Sequence, residues 1–411
     1  MSAGQRSGHL SFWSTGWKKI AFLSATIVEK IVSKQKILVL VDWFAPGYKA
    51  GGPIQSCLNF AFALKDRYDI YVLTTDTDHG ETTPYEGIPT GQWLTNLDPG
   101  FKVKYLPKAT LRAAMIRTEI ALLAPDFIYL NHLFSPLFVV YPLWLQYRAL
   151  IPGRVVLCPR GALYDSALSI KPWKKSPFLK AFRWLGIHRR ILFHATNDRE
   201  KEAILRFFPG STIRIADNLP NSNQPEFRSW PKTVGSVKAI FVARIFPIKN
   251  LLYYLAALET VKTNVTLTVV GPIEDKPYWE ECTRKIEALP PQIKVSYLGP
   301  KRNDELMPIL QQHHVFVLPT TGENFGHSIF EALLGGRPVL ISDQTPWLGL
   351  PARKAGWDLP LTDPGAFARV TEQVGEWDQD HFDQWARAAW SYAHDFIRNP
   401  ELQNQYAKLF E

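Results

Sequence analysis

Leu318-Pro-Thr-Thr-Gly-Glu-Asn-Phe-Gly-His-Ser-Ile-Phe-Glu331, running on into Ala332-Leu-Leu-Gly-Gly-Arg-Pro-Val-Leu-Ile341, is the stretch that decides the fold. The apolar run His314 to Leu318 reads as a buried strand that ends at Pro319, since proline cannot donate to a sheet ladder. A polar, Gly-containing loop follows, and helical spacing opens near His327 or Ser328. Glu323 and Glu331 are eight positions apart, so one carboxylate sits on the loop and the other a turn inside the helix. Between them lie free backbone N–H groups and the positive end of a helix dipole. Such a turn suits a phosphate or a ring of hydroxyls. Two surface glutamates on an ordinary strand-to-helix turn would show less of this string.

Outward from that stretch, strands and helices alternate. Residues 237–380 read as one parallel α/β unit, with strands at Ala239–Ala243, Thr266–Val270, Val295–Leu298 and Val315–Leu318 and helices between them. Residues 35–220 read as another, starting with Lys36-Ile-Leu-Val-Leu-Val41 and the Gly51-Gly52-Pro53 loop, with further strands near Ile70–Thr75, Phe127–Leu130, Val155–Cys158 and Leu192–Thr196. Proline, Asn and Ser gather over 221–236 as a linker. The aromatic-rich segment 381–411 is helical in pattern. Residues 1–34 carry Trp13, Trp17, Ile20, Leu23, Ile27 and Ile31 at helical intervals beside lysines, a basic amphipathic extension.

Glu-x7-Glu enclosing Phe-Gly, then Glu-Ala and Gly-x-Pro-Val, resembles the donor site of the retaining glycosyltransferases of family 4. Phe241-Val-Ala-Arg244 through Lys249-Asn250 and Gly51-Gly52 stand where that family's other motifs stand. The resemblance implies the GT-B fold: two Rossmann-like, doubly wound parallel-sheet domains facing a cleft, the first binding acceptor and the second nucleotide sugar. The C-terminal helices would cross back to the first domain. It implies that Glu323, Asn324, Phe325 and Gly326 meet sugar and diphosphate, that Glu331 meets the ribose, and that Gly51 and Gly52 let backbone approach the diphosphate. Arg244 and Lys249 would clamp the leaving diphosphate, a planar fork beside a point charge. Relatives place a His after a Pro-Asp strand; this chain reads Pro125-Asp-Phe-Ile-Tyr-Leu-Asn-His132, so either Asn131 or His132 fills that place. Pro159-Arg160-Gly161 stands where relatives often have His-Gly, so Arg160 either holds an acceptor phosphate or satisfies a helix end.

Lys49-Ala-Gly-Gly-Pro, Pro159-Arg-Gly, Glu323-Asn-Phe-Gly-His and Ser342-Asp-Gln-Thr-Pro-Trp347 look like a bacterial branch that builds capsule, exopolysaccharide or O-antigen. The reaction implied is sugar transfer with retention from a nucleotide-diphosphate sugar to a glycan or polyprenyl-diphosphate-linked acceptor. It implies no cofactor and no metal, and the chain has no metal-ligand spacing. The alternatives are a nucleotide-sugar epimerase or phosphorylase of the same fold, or a non-catalytic subunit that binds membrane or glycan.

Composition agrees with this reading. The 411 residues suit two domains, and three widely spaced cysteines argue for a reducing compartment. The net charge of +9 is uneven: residues 1–218 hold 28 Lys and Arg against 16 Asp and Glu, residues 219–411 hold 19 against 22. With no nucleic-acid-binding motif, the basic half points to an anionic membrane surface. Residues 171–190 sharpen this, with seven Lys or Arg, four aromatics and no acid. No signal peptide is expected, and the uncharged run Phe127–Tyr147 holds too many polar residues and prolines to span a bilayer. The expected place is the cytoplasm, peripheral on the inner face of the plasma membrane.

Overall fold

The computed structural model describes Met1 and residues 34–169, 172–220 and 225–411. The amphipathic extension expected over 1–34 lies outside the described residues except at its two ends.

Continuous apolar runs make the central strands, as parallel strands covered on both faces require. The first sheet holds β1 (Lys36–Leu40), β2 (Asp69–Thr75), β3 (Trp93–Leu94), β4 (Phe101–Leu106), β5 (Phe127–Asn131), β6 (Arg154–Cys158), β7 (Leu192–Ala195) and β8 (Thr212–Ile215). Their order is β3-β4-β2-β1-β5-β6-β7-β8, and only the edge strand β3 pairs antiparallel. The second sheet holds β9 (Ser236–Val242), β10 (Asn264–Val270), β11 (Ile293–Tyr297), β12 (Val315–Leu318), β13 (Val339–Ser342) and β14 (Gly356–Leu359). Its order is β11-β10-β9-β12-β13-β14, all parallel. Read along the chain that is 3-2-1-4-5-6, the dinucleotide-binding order.

That order positions the site. In each sheet the winding reverses beside the first strand, between β1 and β5 and between β9 and β12. A crevice opens at the carboxyl ends of strands at such a point. The two crevices face one another across the cleft, which is the GT-B arrangement expected from the sequence.

Some elements differ from the sequence reading. Phe101-Lys-Val-Lys-Tyr-Leu106 was not anticipated as a strand, although its lysines alternate with buried residues in the period of two that marks one. The helix Lys276–Glu287 starts where it does because Asp275 caps it by accepting the Tyr278 N–H at 3.0 Å. Residues 127–147 form β5, a π-turn over Pro136–Val140 and the short helix Tyr141–Tyr147. Among the described residues, no helix is long and apolar enough to cross a membrane.

Helix Gln379–Ile397 packs on the second half, where Trp385 stacks on Trp357 at 4.5 Å. The chain then crosses over, and helix Glu401–Leu409 returns to the first sheet. Phe410 meets the rings of Phe60, Tyr68 and Phe127 edge-on at 5.9, 5.4 and 5.2 Å. Leu402, Tyr406 and Phe410 are buried in that core.

Candidate active site

A cavity of about 470 Å³ lies between the halves, lined by the loops that follow β1, β5, β6, β9, β10 and β12. Of the residues singled out from the sequence, Asn131 alone stands behind its wall, with its side chain tied to Arg160. The others line it, from Gly51 and Gly52 on one side to Arg244, Lys249 and the loop 323–326 with Glu331 on the other.

Two helices begin at this cavity in the same way. Gly51 (φ +65°) caps helix Gly52–Leu64, and Gly326 (φ +79°) caps helix His327–Leu334. Both caps use left-handed backbone that favours glycine, and neither helix has a side-chain cap or an acid in its first turn. In the second helix Phe330 is the first to bond back, to Gly326 O at 3.0 Å. The amides of His327, Ser328 and Ile329 therefore have no intrahelical acceptor. Anions are stabilised at such an end.

Arg244 lies just past β9, and Lys249 ends the 3-10 turn Pro247–Lys249. Each cation is matched by a carboxylate. Lys249 Nζ pairs with Glu323 Oε1, both side chains mostly buried, and Arg244 Nη1 lies 2.6 Å from Glu274 Oε2. Glu274, the partner of Arg244, stands on the loop 271–275 that follows β10. That pairing joins loops from two strands and leaves no trace in local sequence.

The segment 342–347 braces the donor loop. Ser342 Oγ donates to Thr320 O, Glu323 N–H donates to Gln344 O at 3.0 Å, and Trp347 Nε1 donates to Phe325 O. These bonds give Ser342-Asp-Gln-Thr-Pro-Trp347 a physical role. Glu331, in the second turn of its helix, has its carboxyl pushed up to about 7 by burial. His327 packs on Phe325 at 4.8 Å, and burial together with the charge of Arg160 pushes it down to about 3. It is a neutral imidazole near pH 7 and adds no charge to the cationic set.

On the opposite wall, His132 and Arg160 follow β5 and β6 with φ of +77° and +55°. Left-handed backbone at non-glycine residues costs of order 1 kcal/mol each and gathers at functional sites. His132 Nδ1 accepts the Phe134 N–H at 3.3 Å, which leaves Nε2 as the protonated nitrogen. Burial, with Lys175 and Arg244 nearby, pushes this histidine down to about 4. Arg160 is held by three neutral groups: Asn131 Oδ1 at 2.9 Å, Tyr129 OH at 3.0 Å and Asn218 Oδ1. Among the described residues no group of three His, Cys, Asp or Glu side chains could hold a metal ion.

Residues 236–375 match the family model of the glycosyl transferases group 1. An uncharacterised glycosyltransferase of Methanocaldococcus jannaschii is 21% identical over 328 residues, 74% of this chain and 80% of that protein. Anabaena HepE, crystallised with UDP and glucose, superposes with a TM-score of 0.63 at 18% identity, over 91% of this chain and 98% of its own. Sucrose-phosphate synthase of Thermosynechococcus elongatus superposes at 0.68 with 16% identity, over 92% and 98%. Over about nine-tenths of its length the chain thus has the GT-B fold, and residues 236–375 match the group 1 glycosyl transferases.

Proposed function

We propose that the chain is a retaining glycosyltransferase that moves a sugar from a nucleotide-diphosphate sugar to a glycan or polyprenyl-diphosphate-linked acceptor, in the assembly of a bacterial surface polysaccharide. The observation that carries the reading is one cavity in which Lys249, Arg244 and the open amides of helix His327–Leu334 converge between two carboxylates, Glu323 and Glu331. The diphosphate takes over Lys249 and Arg244 and accepts from the open amides. Glu323, freed from Lys249, accepts from hydroxyls of the sugar, and Glu331 accepts from the ribose. The bond from the anomeric carbon to the diphosphate breaks while the acceptor oxygen bonds to that carbon on the same face. The acceptor proton goes to the leaving diphosphate oxygen. The chain's own groups position the partners and stabilise the departing charge. His132 Nε2–H is placed to donate to the sugar, and Arg160, held by neutral groups, to meet an anion on the acceptor. Incubation with nucleotide sugars and lipid-linked acceptors should release nucleoside diphosphate and give a product heavier by one sugar. Glu323→Ala should slow that reaction more than it weakens UDP binding, because sugar positioning counts most at the transition state. Wild-type protein inert with every donor, or a Glu323→Ala variant as active as wild type, would overturn the assignment.

The same reading places the protein on an anionic bilayer. Helix Pro172–Trp184 exposes Trp173 and Trp184 by 70% and 84%. Eleven residues apart, they share one helix face, flanked by the exposed Lys174, Lys180 and Arg183. Tryptophans between cations suit a headgroup interface, where each basic residue contributes roughly 1 kcal/mol. Lys175 turns the other way, into the cavity wall, donating to Ala167 O at 2.6 Å. Wild type should therefore float with anionic liposomes and be released by salt, and Lys174, Lys180 and Arg183 changed together to Glu should stay at the bottom while still binding UDP. Wild type that stays at the bottom at low salt would exclude this surface.

A further inference from the structure

We propose that Asn324 is a positioning residue, a latch by which the first half holds the donor loop in its working place. The proposal rests on the glycosyltransferase reading above and gives a new role to a residue that the sequence placed among the sugar contacts. Asn324 follows Glu323 directly, and three side chains of the first half meet it. Tyr164 OH donates to Asn324 Oδ1 at 3.2 Å, the Thr196 hydroxyl lies 2.9 Å from the same oxygen, and Asn197 Nδ2 donates to the Asn324 backbone oxygen at 3.3 Å. The backbone also closes in: a Cβ on Gly161 would stand 3.2 Å from the Asn324 Cβ.

The gripping side is itself held by one buried carboxylate. Glu200 is fully buried, on the first turn of helix Asp198–Phe207. Its Oε1 accepts the Gly161 N–H at 2.6 Å, and its Oε2 accepts the Thr196 N–H at 2.8 Å and hydroxyl at 2.7 Å. A buried carboxylate keeps such partners firmly, because losing them would leave the charge unsolvated. The loops after β6 and β7 are thereby joined into one rim. Asn197 belongs to the same unit, accepting the Glu200 N–H at 2.8 Å. Across the cleft, Gln344 ties to both sides: its backbone oxygen accepts from Glu323 N–H, and its side chain accepts from Arg199 at 3.3 Å.

Asn324 Oδ1 is therefore engaged across the cleft, and its neighbours on either side are Glu323 and Phe325. Where the first half holds Asn324, the carboxylate that meets the sugar is set relative to the acceptor wall. Neutral hydrogen bonds of this kind are strong enough to bias closure and weak enough to reopen at each turnover.

The test is a double-mutant cycle on Asn324→Ala and Thr196→Val, with Thr196→Ser as the conservative variant. Each of the first two should lower kcat about 10-fold, the worth of one hydrogen bond at the transition state, and leave the calorimetric Kd for UDP within about twofold. The double variant should lose less than the product of the two single losses, since the Thr196–Asn324 contact is already gone in either one. Thr196→Ser keeps the hydroxyl and should keep the rate. Asn324→Ala that weakens UDP binding with kcat unchanged, losses that multiply in the double variant, or Thr196→Ser as slow as Thr196→Val would each overturn the latch. Failure of the underlying reading looks different, with wild type neither binding UDP nor turning over any donor. Small-angle scattering of the ligand-free protein still decides the latch in that case: Asn324→Ala should be more open than wild type, and equal radii of gyration would refute it.

Discussion

Lys249→Ala should lower turnover about 100-fold at saturating donor, the loss typical when a preorganised charge is removed from a transition state. The amine is mostly buried and sits against Glu323, so its loss acts twice. The departing diphosphate loses a cation, and Glu323 becomes an unpaired carboxylate facing that same diphosphate. Charges in a cavity this sheltered interact more strongly than they would in water. Lys249→Arg keeps the charge but spreads it over a planar fork, and should recover part of the rate. Kinetics at saturating donor, with UDP affinity measured in parallel, would check both variants. Unchanged kcat and Kd in Lys249→Ala would mean that the diphosphate is held elsewhere.

The second large effect concerns Glu331. A charged acceptor holding two ribose hydroxyls contributes about 1.5–3 kcal/mol per bond, so Glu331→Ala should weaken UDP binding by at least about 100-fold. Binding should also depend on pH. Burial pushes this carboxyl up to about 7, from an ordinary value of 4.5. Ribose hydroxyls favour the ionised form, so UDP affinity should rise as pH goes from about 6 to 8 and then level off. Glu331→Gln should bind weakly and with no such rise. Stability without ligand runs the opposite way. Between 4.5 and about 7 the folded protein holds a proton that the unfolded chain has released, so the contribution of Glu331 falls as pH rises through that window. Calorimetric titrations at several pH values would settle the binding side; an affinity flat from pH 6 to 8 in wild type would remove Glu331 from the ribose.

Much of the fold could be read because its central strands are buried on both faces. Val315–Leu318 and Ile37–Leu40 are unbroken apolar runs, and such runs announce themselves without any partner. The two glutamates could be read for a related reason: a loop and the helix after it are contiguous, so spacing alone carries their geometry. What could not be read depends on loops brought together from distant parts of the chain. The pairing of Arg244 with Glu274, the meeting of Asn324 with Thr196, and the choice between Asn131 and His132 at the cavity wall are of this kind. The last turns on a single peptide: His132 takes a left-handed φ, so it lines the cavity while Asn131 lies behind Arg160. Helix starts are hard to read where a cap sets them, as at Asp275, because propensity speaks about interiors and capping about ends.

Leu402, Tyr406, Leu409 and Phe410 fill a core whose other buried members precede residue 220, and that has a consequence for synthesis on the ribosome. Roughly 180 residues must be added between the two sets, which at bacterial and eukaryotic elongation rates takes roughly 10–40 s. During that interval the half made first has all its strands but an uncovered apolar patch beside Phe60 and Phe127. Nascent chains of this protein are therefore suited to capture by a chaperone that binds exposed aromatic surface, and release would follow when helix Glu401–Leu409 arrives to take its place.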